Sequence, residues 1–275
     1  MNPAFDTADR ENLRLIPRIL RARDFHLYTE GGKRLTDLWL EGGRALLGHK
    51  PPKVLVELKN AAERGLFCSL PHPMERRFLK ALEVLFPGRV FRLYTDESSR
   101  SRALKEAGFS EEDEVFTWRP FLNDGGQLPS VLEPVLPWPQ GPAVLVLERS
   151  MEASFPSGDL VPPVLLAPAA RALYNLASEL KAPAPNRGCP RYHKIAKALG
   201  GQKAENYIWR RNGIYLTVEE GTNREKYKEL FLRFLEGSFL IPPSPCEPLI
   251  LPGAMSDGEE SRLAGLLIGV NHEKK

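Results

Sequence analysis

Hydrophobic positions along this chain switch repeatedly between the helical and the strand period. Residues 1–24 open polar and then place Leu13, Ile16, Ile19 and Leu20 on one helix face, with Pro17 disturbing its middle. "FHLYTEGGKRLTDLWLEGG" (25–43) is apolar-rich on both sides of Gly31 and Gly32, a pair that tolerates positive φ, and predicts a β-hairpin. "PPKVLVELKNAAERGLF" (51–67) starts on prolines suited to a helix start and places Val54, Leu55, Leu58, Ala61 and Ala62 at helical spacing. "HPMERRFLKALEVLF" (72–86) is a second amphipathic helix, stopped by Pro87 and Gly88.

A strand (90–95) then runs into a helix over about 98–108, and a short strand follows near "EVFTW" (114–118). "AVLVLE" (143–148) is a continuous apolar run of the kind buried on both faces of a parallel sheet. "PPVLLAPAARALYNLASELK" (162–181) reads as another buried strand entering a helix, and the alternation argues for a doubly wound α/β layer. Composition shifts at "KAPAPNRGCP" (181–190), a linker. Beyond it come a helix (191–199), two strands around "RNG" (206–218), a helix (223–236), the short strands "SFLIPP" and "EPLILP", and a final helix (256–269) with Ser256 and Asp257 as cap candidates. The predicted layout is residues 1–50 as an N-terminal helix and hairpin packing with the small domain. Residues 51–185 form an α/β domain and 186–275 a small α+β domain.

Composition narrows the function classes. Charged residues make up 27% of the chain and hydrophobic ones 42%, and the net charge of +3 is too balanced to argue for nucleic acid. Cys68, Cys189 and Cys246 lie far apart without C-x-x-C spacing, which argues against a zinc ribbon or a disulfide framework and suits a reducing compartment. His26, His49, His72, His193 and His272 show no metal spacing either. No run approaches the roughly 20 apolar residues of a membrane span, so the expectation is a cytoplasmic protein with no membrane partner.

Three stretches resemble one family in order. "GKRLTDLWLEGGRALLGHKPPKVLVEL" (32–58) resembles the opening segment of class-III pyridoxal-phosphate-dependent aminotransferases, the group containing glutamate-1-semialdehyde aminomutase. Gly32, Asp37, Leu47, Gly48, His49 and Pro52 match its "G-x-x-x-x-D" and "L-G-H-x-x-P" pattern. "HPMERRFLKALEVLFPGR" (72–89) is similar to the helix that follows. The stretch 227–267 resembles the closing domain through Leu235, Gly237, Pro243, Ser244, Glu247, Ser256 and Asp257. The resemblance implies a fold-type-I pyridoxal-phosphate-transferase-like α/β fold, here with a reduced, mainly parallel sheet and a small α+β domain.

The family's chemistry needs a Schiff-base lysine, an acid against the pyridine nitrogen and a cradle for the phosphate. The family's cradle turn, "S-G-T-E-A" or similar, is here "TDESSR". Ser98 and Ser99 could donate hydroxyl hydrogen bonds, but the glycine is missing, and Asp96 and Glu97 would repel a dianion. On their own residues these acids are helix caps. Glu148 takes the position of the family's acid with Arg149 beside it, or else its strand matches an earlier strand of the family and the acid strand is deleted. Ala169 falls at or beside the lysine position, and no lysine occurs between Lys105 and Lys181. The stretch from Glu97 to Glu148 is much shorter than in the family and lacks its aromatic–histidine pair.

The resulting expectation is a shortened, degenerate relative with no catalytic residues, no metal and no bound cofactor. It would act by binding or scaffolding, with room for a small-molecule ligand in the cleft. The alternative is a working enzyme, either an aminotransferase- or aminomutase-like one that holds pyridoxal phosphate without the covalent link or one that reuses the cleft for other chemistry, with Glu75, Asp96, Glu148 and Arg149 as its polar residues; a third reading is oligomerisation alone. The segment 59–88 retains Leu66, Phe67, Leu70, Phe78, Leu82 and Leu85, more apolar residues than one helix face needs, which predicts a homodimer.

Overall fold

The computed structural model describes residues 6–110, 115–122, 126–182, 192–200, 208–219 and 222–269. The chain folds into two compact units, one of residues 50–120 and 124–182, the other of residues 1–49, 121–123 and 183–275. The expected linker lies largely outside the described residues, as do Cys189 and His272.

In the second of these units, α1 (Thr7–Leu15) opens on a capping box between Asp6 and Asp9. It ends before Pro17, which lacks the N–H that an interior helical position requires. Ile19 and Leu20 therefore belong to a strand, β1 (Ile19–Arg23), and not to the helix the periodicity suggested. β2 (His26–Thr29) and β3 (Arg34–Asp37) form the expected hairpin, with Gly32 at φ +76 in its turn. α6 (His193–Gly200), β8 (Trp209–Asn212), β9 (Tyr215–Val218), α7 (Arg224–Glu236), β10 (Phe239–Leu240), β11 (Leu249–Ile250) and α8 (Asp257–Gly269) complete the unit. β10 pairs in parallel with β3, giving the order β1-β2-β3-β10, and β11-β9-β8 form a small antiparallel sheet. Leu35, Leu38, Ile214, Phe231, Phe234 and Phe239 are fully buried in its interior.

The other unit carries α2 (Val54–Glu63), α3 (Pro73–Leu85), β4 (Val90–Tyr94), α4 (Glu97–Glu106), β5 (Phe116–Trp118), β6 (Val131–Pro134), β7 (Ala143–Leu147) and α5 (Pro163–Lys181). Its strands lie in the order β4-β7-β6-β5. Alternate side chains of each strand leave the sheet on opposite faces. Leu93, Leu132, Val144 and Val146 meet Phe78, Leu82, Leu166 and Leu173 of the helices on one side. Tyr94, Val131, Leu145 and Leu147 meet Ala103 of α4 and Phe155 on the other. The α/β class is the expected one, with both sheet faces covered.

Two expectations are corrected here. The sheet is not mainly parallel: β7 runs antiparallel to both β4 and β6, and only β5 and β6 are parallel. An apolar run buried on both faces reports coverage by helices and says nothing of strand sense. Residues 162–181 also contain no strand, because α5 is a single 19-residue helix with Pro168 inside it. A short apolar run fits a buried strand and a buried helix equally, and its length and alanine content settle the matter.

Candidate functional site

The strand-to-helix turn at Thr95–Asp96 is where the resemblance places an anion cradle. Asp96 is the N-cap of α4: its Oδ1 accepts from the Ser99 N–H at 2.8 Å, satisfying one of the orphan donors of the first turn. Glu97 sits in that first turn, where a negative charge complements the helix dipole. Asp96 and Ser98 are exposed, and Glu97 and Ser99 are half-buried. Arg100 on the next turn pairs with Glu133 of β6, tying α4 down on the sheet.

A residue outside every quoted motif also reaches this turn. Oδ2 of Asp159 accepts from the Thr95 N–H at 3.0 Å and from the Thr95 hydroxyl at 2.8 Å. The Thr95 N–H, opposed by partial burial and helped by the Thr95 and Ser99 hydroxyls and Arg102, holds this carboxyl below its usual range. No short-range pattern points to it, because 64 residues separate the partners.

The remaining sequence candidates lie elsewhere. In the antiparallel β4–β7 pair, Leu147 faces Val90 and Ala143 faces Tyr94. Glu148 therefore follows the end of β7 beside the start of β4, about 20 Å along the strands from the turn at Asp96. There it is exposed, and its carboxylate accepts from the Ser130 hydroxyl at 2.8 Å. Arg149 next to it is exposed, and Glu75 is half-buried in the first turn of α3. The structure thus brings together Asp96, Glu97, Ser98 and Ser99, and leaves Glu148 and Arg149 at the opposite end of the sheet. Ala169 is 1% exposed on α5, packed in the layer that α5 forms with α2 and α3.

Pyridoxal phosphate does not fit these residues. A Schiff-base lysine must be held in a pocket, yet Lys50, Lys53, Lys59, Lys80, Lys105 and Lys181, all the lysines of this unit, are exposed. The anion-accepting groups of the turn are already taken by a carboxylate of the chain itself. Among the described residues no group of His, Cys, Asp and Glu side chains could hold a metal ion.

The motif residues near the N-terminus are engaged in structural work. Asp37 is 3% exposed; its Oδ1 accepts from the N–H groups of Trp39 and Leu40, both at 2.9 Å, and its Oδ2 meets Nε2 of His49 at 2.9 Å. Gly48 lies at φ +83, and a Cβ there would come within 3.0 Å of the Asp24 carbonyl oxygen. The "G-H" pair is thereby explained: Gly48 allows the close approach and His49 closes onto Asp37. Trp39 Nε1 donates to Glu247 at 2.6 Å. Ser256 and Glu259 form a capping box at the start of α8, as the cap candidates suggested. Glu259 also meets Nε2 of His26 at 2.8 Å, the Thr36 hydroxyl at 3.0 Å and Arg34 at 3.1 Å.

No family model matches the chain. An uncharacterized protein of Treponema pallidum (strain Nichols) is 29% identical over 284 residues, covering 88% of this chain and 91% of that protein. Glutamate-1-semialdehyde 2,1-aminomutase of Thermus thermophilus is 31% identical over 71 residues, 26% of this chain and 17% of that enzyme. The ornithine delta-aminotransferase structure of Plasmodium falciparum superposes with a TM-score of 0.66 at 11% identity, covering 93% of each chain. A likeness at that identity speaks for fold and not for activity. In 275 residues, this chain carries a shortened version of the fold of the class-III pyridoxal-phosphate-dependent aminotransferases.

Proposed function

We propose that this chain is an aminotransferase-fold protein that has lost the cofactor site and acts by binding or scaffolding, as a homodimer. The observation that supports this reading is that Lys50, Lys53, Lys59, Lys80, Lys105 and Lys181, the lysines of this unit, are all exposed, while Ala169, which the resemblance places at or beside the family's lysine, is a small apolar residue on a buried helix face. Without an amine held there, the covalent cofactor linkage on which transamination depends has no anchor in this unit. The separation of Asp96 from Glu148 also speaks against the four-residue alternative, since acid–base partners must lie within hydrogen-bond reach of one reacting group. A small-molecule ligand remains part of the proposal, its identity to be read by mass spectrometry of the natively purified protein.

The test is spectroscopic. The full chain is incubated with pyridoxal phosphate, dialysed, and scanned for the visible absorbance of a lysine aldimine. The expected spectrum shows no such band, and borohydride treatment leaves no lysine carrying a pyridoxyl group. A retained band, with a lysine found modified after reduction, overturns the reading.

A further inference from the structure

The turn after β4 is built to accept an anion, and the chain brings one to it. Thr95 offers both its backbone N–H and its hydroxyl to the same oxygen of Asp159, and the Ser99 hydroxyl and Arg102 favour the charged carboxylate. The N-terminus of α4 favours negative charge at that spot. The approach of Asp159 is itself constructed. β4 is an edge strand, and the segment around Pro156–Asp159 is fastened along it: the Asp159 N–H donates to the Leu93 carbonyl at 2.7 Å, and Arg92 Nε donates to the Pro156 carbonyl at 3.2 Å. Gly158 makes the close run possible, since a Cβ there would lie 2.5 Å from the Leu93 oxygen and 2.8 Å from its nitrogen. Backbone, glycine and carboxylate thus act together to deliver a fixed charge to one turn.

We propose that Asp159 is the resident anion of this turn, a carboxylate of the chain standing where the resembled family cradles a phosphate, and that it closes the turn to phosphate monoesters. The inference extends the reading that the cofactor site is lost, but it rests on different atoms and can fail separately. Asp159 makes external phosphate redundant, because two anions cannot share the same donors.

The experiment is thermal unfolding of the full chain as wild type, Asp159→Ala and Asp159→Asn, each in phosphate and in chloride at matched ionic strength. The wild type is expected to melt at one temperature in both salts. Asp159→Ala is expected to lose about 4 °C in chloride and to regain part of it in phosphate, with the carboxylates of Asp96 and Glu97 opposing full recovery. Asp159→Asn is expected to lose stability and not to regain it, because its amide fills the turn without a charge. Wild-type melting in both variants, or phosphate stabilising the wild type as much as Asp159→Ala, overturns the proposal. Should Asp159→Ala not fold, the decision falls to the pH dependence of Asp159→Asn. Its deficit should be full near neutral pH, where the wild-type carboxylate is charged, and should vanish as pH falls through the lowered native pKa. A deficit that stays constant into acid marks plain hydrogen bonding and overturns the proposal. An aldimine band in the wild type would sink the loss of the cofactor site, whatever the melting temperatures show.

Discussion

At the scale of single residues, the clearest consequence of this structure concerns Glu259. Its side chain is 3% exposed, and burial alone would raise its pKa. The Ser256 hydroxyl and N–H, His26 and the Thr36 hydroxyl more than reverse that, bringing it down to about 2. A carboxyl whose native pKa lies below its unfolded value of about 4.3 stabilises the fold above that value and loses its contribution as pH falls through about 2. Glu259→Gln should therefore cost about 2–3 kcal/mol near neutral pH by denaturant unfolding, and the gap to wild type should close between roughly pH 4 and pH 2. An unchanged gap at acid pH would mean that packing rather than charge holds this network together. His26 and His49 act alike as partners of buried carboxylates, and His72 caps α3 through its Nδ1. Three histidines of a chain that resembles an enzyme are thus accounted for without catalysis.

At the scale of elements, the packing of α5 bears on cofactor binding. Its buried positions include Ala167, Ala169, Ala170, Ala172 and Ala177, small side chains that let α2 and α3 pack closely against it. Restoring a lysine by Ala169→Lys would put an ammonium into that layer. Burying an unpaired charge is expected to cost about 3–5 kcal/mol, seen as a large drop in the denaturation midpoint. No aldimine band should appear with added pyridoxal phosphate. A stable Ala169→Lys protein that gains the band would show that this helix lines a cofactor pocket after all. The helices α3 and α4 are legible in the sequence because their signals are local: Pro73 and His72 at one start, and Asp96 with Glu97 at the other. The first turns of α5 are not, because an apolar run of this kind carries no period of its own, although the helix that follows them is the expected one.

At the scale of the whole molecule, the question is what covers the apolar residues left outside. Of the six residues in the segment 59–88 expected at an interface, Phe78 and Leu82 are fully buried in the core and Leu66 and Leu85 are half-buried. Phe67 and Leu70 stand 59% and 64% exposed, and Val56 of α2 is 58% exposed. The exposed apolar side chains of this region thus lie in the loop between α2 and α3 and on α2 itself. Exposed apolar side chains of this kind favour association, and a closed pair would present the same surface twice. Light scattering is expected to give about twice the 30.9 kDa chain mass at micromolar concentration, and Phe67→Asp with Leu70→Asp to give a folded single chain. A wild-type mass of one chain would refute the dimer.

The sequence by itself determined what local chemistry can encode. The hairpin at Gly31 and Gly32, the amphipathic face of α3, the caps at Asp96 and Ser256, and the α/β class are all read from residues a few positions apart. Even the "G-H" signature was visible as a string, although its reason, Gly48 against Asp24 and His49 on Asp37, was not. Tertiary structure alone decided the sense of the strands, the helical state of α5, the distance between Asp96 and Glu148, and the arrival of Asp159 at Thr95. Each of these depends on which distant segments meet. Strand sense follows from how connections close, and a side chain 64 positions away leaves no periodic trace at the turn it completes.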